Sequence, residues 1–133
     1  MKVFLGGTCN NSTWRETLIP MLKISYFNPV VKHWTEEAQI EELQQREESD
    51  FCLYVITPKM TGVYSIAEVV EDSIKRPQKT ILCILAVDDE EIFTLSQMNS
   101  LLQVEKMVER NGAKVCYGLP GVANYLNGKA KHE

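Results

Sequence analysis

Histidine is nearly absent from this chain, with only His33 and His132 among 133 residues. Two histidines, one of them in the tail, exclude a Ser/His/Asp triad and a histidine-built metal centre. Paired cysteines are missing too. Cys9, Cys52, Cys83 and Cys116 are widely scattered, with no Cys-x-x-Cys spacing and no His at zinc-site distance, which argues against a zinc site or a disulfide framework. Three of them lie in or at the end of apolar runs, where a reduced Cys is a small core residue; Cys9 falls in a loop and is expected to be exposed. Basic charge is not in excess: the net charge is −4 and Lys and Arg do not cluster, so a general surface for a nucleic-acid polymer is excluded. The longest apolar stretch, Ile81 to Val87, is far too short to span a bilayer. Residues 1–5 begin directly as strand-like sequence, leaving no room for a signal peptide. The expectation is a cytoplasmic protein that needs no cofactor, metal or membrane, built as one domain over residues 1–133.

What is present is an alternation of apolar runs and amphipathic segments. Strands are expected at Lys2 to Leu5, Lys23 to Phe27, Phe51 to Ile56, Thr80 to Val87 and Lys114 to Cys116. A first helix, capped by Ser12 or Thr13, runs to about Leu22 with its last turn distorted by Pro20. Thr35 caps a charged helix from Glu36 to Glu48, with Ala38, Ile40 and Leu43 on a narrow apolar face. Further helices are expected at Val63 to Lys75 and at Ser96 to Arg110, the latter stopped by Asn111-Gly112, with a last helical turn at Gly121 to Leu126. Residues 6–11 and 88–91 read as loops. This alternation predicts an α/β fold: a flavodoxin-like three-layer sandwich around a mainly parallel five-stranded sheet.

Ligands of open α/β sheets bind at the carboxyl edge of the strands, so the segments that follow strands matter most. After the third strand, Thr61-Gly62-Val63-Tyr64-Ser65-Ile66-Ala67-Glu68 delivers a carboxylate in the first turn of a helix. Ser65-x-x-Glu68 also matches a capping box, in which the two side chains satisfy helix-start donors. Gly62 allows close approach of a ligand to the backbone. After the first strand, Gly6-Gly7-Thr8-Cys9-Asn10-Asn11-Ser12 offers a cradle for a phosphate or ribose hydroxyl, with a tight turn plus helix cap as the plain alternative. It is neither a Walker A loop nor a dinucleotide fingerprint. Most carboxylates of the acidic helix read as a solvated face, but Glu42 is placed to reach the same edge as Glu68. Trp14, Trp34 and Tyr64 are candidates to stack on a base, with buried packing as the default for aromatic residues. His33 reads as a loop residue.

These features fall in one order. Val3-Phe4-Leu5-Gly6-Gly7, Trp14, Asn28-Pro29, Ser49-Asp50-Phe51 and Gly62 through Glu68 together resemble the nucleoside 2-deoxyribosyltransferase family and its smaller relatives, over roughly residues 2–87. The resemblance implies a nucleophile at Glu68 that attacks the anomeric carbon of a nucleoside and expels the base. It implies an acid at Glu42 that contacts and protonates the base, and a pocket lined by Gly6, Gly7, Thr8 and Asn28. A 5′-phosphate would rest on Ser65 and the adjacent helix N-terminus. It also implies a homo-oligomer whose neighbouring subunit completes the site from its C-terminus, with Asn124 and Asn127 as candidates. Two positions depart from the pattern. The first-strand tyrosine that supports the nucleophile corresponds to Phe4, and an acidic residue that holds the sugar corresponds to Gly62 or its neighbours, where Thr61 and Tyr64 are the polar substitutes.

The expected partner is therefore a small-molecule nucleoside or nucleotide, and the expected reaction is cleavage or exchange of its N-glycosidic bond. A nucleotide-binding module without turnover is the alternative from another class. A flavodoxin-like redox protein is a third, because Thr8 to Thr13 loosely resembles a flavin phosphate loop. A response-regulator receiver fits poorly, since no paired acids follow the first strand and no Asp follows Ile56.

Overall fold

Along the third strand every side chain is buried, yet successive residues belong to two different cores. Phe51, Leu53 and Val55 join one apolar cluster, and Cys52, Tyr54 and Ile56 join the other. Only a strand covered on both faces does this. The computed structural model describes residues 1–9 and 11–130; Asn10 of the first loop and the tail residues 131–133, including His132, lie outside the described residues.

The sheet strands are β1 (Lys2–Gly7), β2 (Ser25–Phe27), β3 (Phe51–Ile56), β4 (Thr80–Ile84) and β7 (Lys114–Cys116). They pair in the order β2-β1-β3-β4-β7, and every pairing is parallel. Helices α1 (Trp14–Leu18) and α5 (Gly118–Ala130) cover one face through Trp14, Leu18, Leu119, Val122 and Leu126. On the other, α3 (Tyr64–Lys75) and α4 (Leu95–Arg110) pack Val69, Leu101 and Val108. This is the flavodoxin-like sandwich expected, with an all-parallel sheet. Strand order reverses between β1 and β3, and the carboxyl ends of those two strands flank the crevice where such sheets bind ligands.

Several elements differ from expectation. β1 continues through Gly6 and Gly7, which pair with Tyr54 and Val55 instead of starting the loop. α1 ends at Leu18 and passes into a 3-10 turn, Ile19–Met21, because Pro20 cannot continue the helix. The acidic segment forms a small hairpin, β5 (Val87–Asp88) and β6 (Glu91–Ile92), turned by Asp89 in the left-handed region at φ 54°. α5 is a full helix of 13 residues instead of one turn. Helix α2 (Glu36–Glu48) has the expected bounds, and the Thr35 hydroxyl accepts from Ala38 N at 3.0 Å. Its orientation is the correction. Ile40 and Leu43 are exposed, while Arg46 is buried. Among the described residues, neither apolar cluster contains an α2 side chain. Polar contacts hold this helix to the sheet.

Candidate functional site

Those polar contacts converge on Arg46. Its Nε donates to the Tyr54 hydroxyl at 3.0 Å, and Nη2 donates to Asp72 Oδ1 at 2.9 Å and Glu71 Oε1 at 3.2 Å. The Tyr54 hydroxyl donates in turn to Asp72 Oδ2, and Arg76 Nε donates to Asp72 Oδ1 at 2.9 Å. Tyr54 and Asp72 are fully buried. With two faces of its guanidinium fixed this way, Arg46 presents Nη1 to Glu68 Oε2 at 3.3 Å. That contact pairs the charges but is not aligned as a hydrogen bond, and no hydrogen bond reaches Oε2 among the described residues. Oε2 is thus buried against Arg46 and held by charge alone.

The local sequence explains how Glu68 comes to be there. α3 begins at Tyr64, so Ser65 is already inside the helix, and its N-cap Val63 has no side-chain cap bond. The Ser65–Glu68 capping box therefore does not form. Glu68 is 7% exposed. Burial raises its carboxyl to about 7, with Arg46 opposing the shift and Glu42, Asp72 and Glu71 adding to it. Glu42, half-buried on α2, is also raised by burial, against the pull of Arg46 and Arg15. Glu42 thus adds to the upward shift of Glu68, and both carboxyls line a cavity of about 330 Å³.

The shift has a consequence for stability. Unfolded, Glu68 ionises in the ordinary carboxylate range; folded, it ionises only near 7. The folded chain therefore carries a charging cost above that value that is absent where both states are protonated. Glu68→Gln should raise the unfolding free energy by about 2–3 kcal/mol near pH 8, and the gain should vanish near pH 4. Thermal melts of the two proteins across that range check this; a gain that does not change with pH would contradict it.

The cavity brings together Gly6, Gly7, Thr8, Glu42, Gly62, Tyr64, Ser65 and Glu68. Its remaining wall contains Cys9, Arg15, Pro29, Val30, Val31, Trp34 and Met60. Two of the three glycines are required by their surroundings. A Cβ on Gly6 would lie 2.8 Å from the Tyr54 ring, so Gly6 makes room for the side chain that anchors Arg46. Gly7 has φ +116°, and its Cβ would meet the Val55 carbonyl at 2.1 Å. A Cβ on Gly62 would meet nothing within 4 Å, so packing does not require glycine there. Phe4 stacks on Phe27 at 6.0 Å in the core, and Tyr54 supplies the phenol of the neighbourhood, acting through Arg46. At the rim, Asp88 Oδ2 accepts from Ser12 Oγ at 2.5 Å and Thr57 Oγ1 at 2.7 Å, tying three loops of the carboxyl edge together.

Two residues expected on the wall are elsewhere. Trp14 is buried, and its Nε1 donates to the Thr8 carbonyl at 2.7 Å. Asn28 is outside the cavity and accepts from Val30 N at 3.1 Å, shaping the turn after β2. Asn127, a candidate for subunit completion, uses its amide within the chain, donating to Met21 O at 2.9 Å and accepting from Lys23 N at 2.8 Å. It fastens the end of α5 beside the start of β2, at the amino edge of the sheet.

Sequence reasoning missed Arg46 and Arg15. Arg15 lies under the end of β1, 4% exposed, with Nε donating to Leu5 O at 3.0 Å and Nη1 to Thr8 O at 2.8 Å. Its guanidinium stands 4.3 Å from the centroid of the Trp14 ring. Burial lowers it to about 10, while Cys9, Glu16 and Glu42 act in the opposite sense. The only signal in the sequence was its place beside Trp14. Cys52, Cys83 and Cys116 are buried, and burial pushes Cys52 to about 11 and Cys83 to about 12, values that keep them protonated core residues. Cys9 is exposed. Among the described residues no group of His, Cys, Asp or Glu has the arrangement of a metal site, and no helix is long and apolar enough to cross a membrane.

A family model described as nucleoside 2-deoxyribosyltransferase like matches residues 1–87. That span holds β1 to β4 and every residue of the cavity. No curated protein and no solved structure matches.

Proposed function

The chain belongs to the nucleoside 2-deoxyribosyltransferase-like family, and we propose that it cleaves or exchanges the N-glycosidic bond of a nucleoside or nucleotide, with Glu68 as nucleophile and Glu42 as acid. The observation that carries this reading is the shared cavity: two buried-to-half-buried carboxyls, one oriented by Arg46, at the carboxyl edge beside β1 and β3.

In the first step a Glu68 oxygen attacks the anomeric carbon, and an acyl–sugar ester bond forms as the C1′–N bond breaks. The bonding pair leaves with the base, which takes the proton of Glu42. In the second step water, or a second base, attacks the same carbon. The ester breaks, Glu68 returns as a carboxylate, and the proton released by the incoming group restores Glu42. Two displacements retain configuration at the sugar. The apolar wall formed by Pro29, Val30, Val31 and Met60, with Trp34, suits the face of a base. Ser65, in the first turn of α3 and on the cavity wall, is the residue we assign to a 5′-substituent. Because Glu68 must be ionised to attack, the rate should rise with pH through about 7.

The test is incubation with ribo- and deoxynucleosides and their 5′-monophosphates, with and without an added free base, followed by chromatography. Exchange into the added base defines a transferase; release without exchange defines a hydrolase. Binding without any turnover across the panel would assign a nucleotide-binding module instead.

A further inference from the structure

Helix α2 is fastened at one end only. In its last turn Arg46 carries the bonds to Tyr54, Glu71 and Asp72, and its carbonyl accepts from Cys52 Sγ at 3.0 Å. Lys79 Nζ donates to the Glu47 and Ser49 carbonyls, each at 2.6 Å. Just beyond, Asp50 N donates to Lys2 O at 2.9 Å. The other end has no such ties. The Thr35 cap on Ala38, the Gln44–Glu48 bond and the Asn28 turn at Val30 all stay inside the segment. Among the described residues, no hydrogen bond or ion pair joins residues 29–45 to the chain outside residues 28–49.

Nor does this segment bury its apolar side chains. Val30, Val31 and Trp34 line the cavity, yet the valines are half-exposed and Trp34 is 64% exposed. Segments with few buried apolar contacts and no bonds to their surroundings open at low free-energy cost. An exposed apolar wall is stabilised when something flat covers it, and a base stacked on Trp34 does so. The helix is also a lever. Ten residues separate Glu36 from Arg46, about 15 Å, and four separate Glu42 from it, about 6 Å. A tilt of about 10° on the Arg46 anchor therefore moves the tip by about 3 Å and Glu42 by about 1 Å. Displacements of that size decide whether a general acid reaches its proton acceptor.

Resting on the glycosidic reading above, we propose that residues 29–42 form a lid that pivots on the Arg46 anchor and closes over a bound base, folding Trp34 onto the base and carrying Glu42 toward it. Binding of the nucleoside and assembly of the acid are then separate steps.

The chain carries its own reporter. Its two tryptophans are Trp34, on the lid, and Trp14, 3% exposed in the core. The four common deoxynucleosides and their 5′-monophosphates are titrated into the Glu68→Gln protein by calorimetry, which measures binding without chemistry. Those that bind are then followed by temperature-jump relaxation of tryptophan fluorescence, which covers the microsecond-to-millisecond range of lid motion. Closure predicts two phases, one whose rate grows linearly with ligand concentration and one whose rate levels off. The levelling phase should vanish in Trp34→Phe, where Trp14 remains. Trp34→Ala should weaken binding by about 10-fold or more, the worth of one base–aromatic stack, without changing the melting temperature. A single phase that stays linear, a levelling phase that survives Trp34→Phe, or undiminished affinity in Trp34→Ala overturns the lid. The lid and the reaction fail separately. Wild-type turnover with one-step binding removes the lid and leaves the reaction standing. Two-step binding without wild-type turnover does the opposite, and failure of every member of the panel to bind removes both.

Discussion

Glu68→Gln should cut base release by about 1,000-fold or more at saturating substrate, the scale expected when a covalent nucleophile is removed. The amide has the same shape and can still sit near Arg46 Nη1, but it cannot form the ester with the sugar carbon. Nucleoside binding should change little, because the cavity wall and Glu42 are untouched. The effect thus falls on kcat and not on KM, and steady-state kinetics on the best substrate of the panel read it directly. A Glu68→Gln protein with at least a tenth of wild-type kcat would remove Glu68 from the reaction. Its value as a helix cap cannot explain a large loss, since α3 starts at Tyr64 and no cap bond involves Glu68.

Arg46→Met should have two separable effects. The first is on stability. Asp72 is fully buried and carries the hydrogen bonds from Arg46, Tyr54 and Arg76. Removing one partner from a buried charge network typically costs about 3–5 kcal/mol. The loss should be felt first in α2, which has no side chain in either apolar cluster among the described residues. The second effect is on the reaction. Arg46 is the group that opposes the upward shift of Glu68, so without it the carboxyl ionises at higher pH. The rising limb of the pH–rate profile should move upward from about 7, and the loss of rate should be largest on its acid side. Adding Asp72→Asn should recover part of the stability, because the fully buried carboxylate that Arg46 had paired is gone, while the limb stays above the wild-type position. Denaturant melts and pH–rate profiles of the single and double variants measure both. A profile unmoved by Arg46→Met would leave Arg46 as a structural bracket alone.

The parts of the fold that could be read from sequence are those in which local pattern and tertiary role agree. Phe51–Ile56 is continuously apolar because both faces of β3 are covered, and Thr35 caps α2 by its own hydroxyl. Where the two disagreed, the pattern misled. Ile40 and Leu43 marked an apolar face that lies in solvent. The inward face of α2 carries Arg46, whose partner Asp72 is 26 residues further along the chain. No periodicity reports a pairing at that distance. Gly6 and Gly7 looked like a loop because glycine is weak in strands; they are strand residues because β3 leaves no space for a Cβ. At α5, Gly118, Pro120 and Gly121 hide the helix start in the sequence, although its apolar residues Leu119, Val122 and Leu126 complete a core.

The site shows the same division. Glu68, Glu42 and the glycines could be placed by their positions after strands, and they do meet in one cavity. Trp14 is a candidate both for stacking and for buried packing, and it takes the buried role, beneath Thr8. The arginines could not be found because an arginine in a helix ordinarily reads as solvated surface. Burial of Arg15 and Arg46 depends on Leu5, Thr8, Tyr54 and Asp72 closing around them.

The most direct test of Glu68 as nucleophile is a mass measurement of the protein after rapid acid quench during turnover, followed by peptide mapping. Covalent catalysis predicts a protein heavier by one pentosyl residue, with the added mass on the peptide containing Glu68 and absent from the Glu68→Gln protein. Brisk turnover with no adduct at any quench time, even with a 2′-fluorinated substrate chosen to slow the second step, would contradict it.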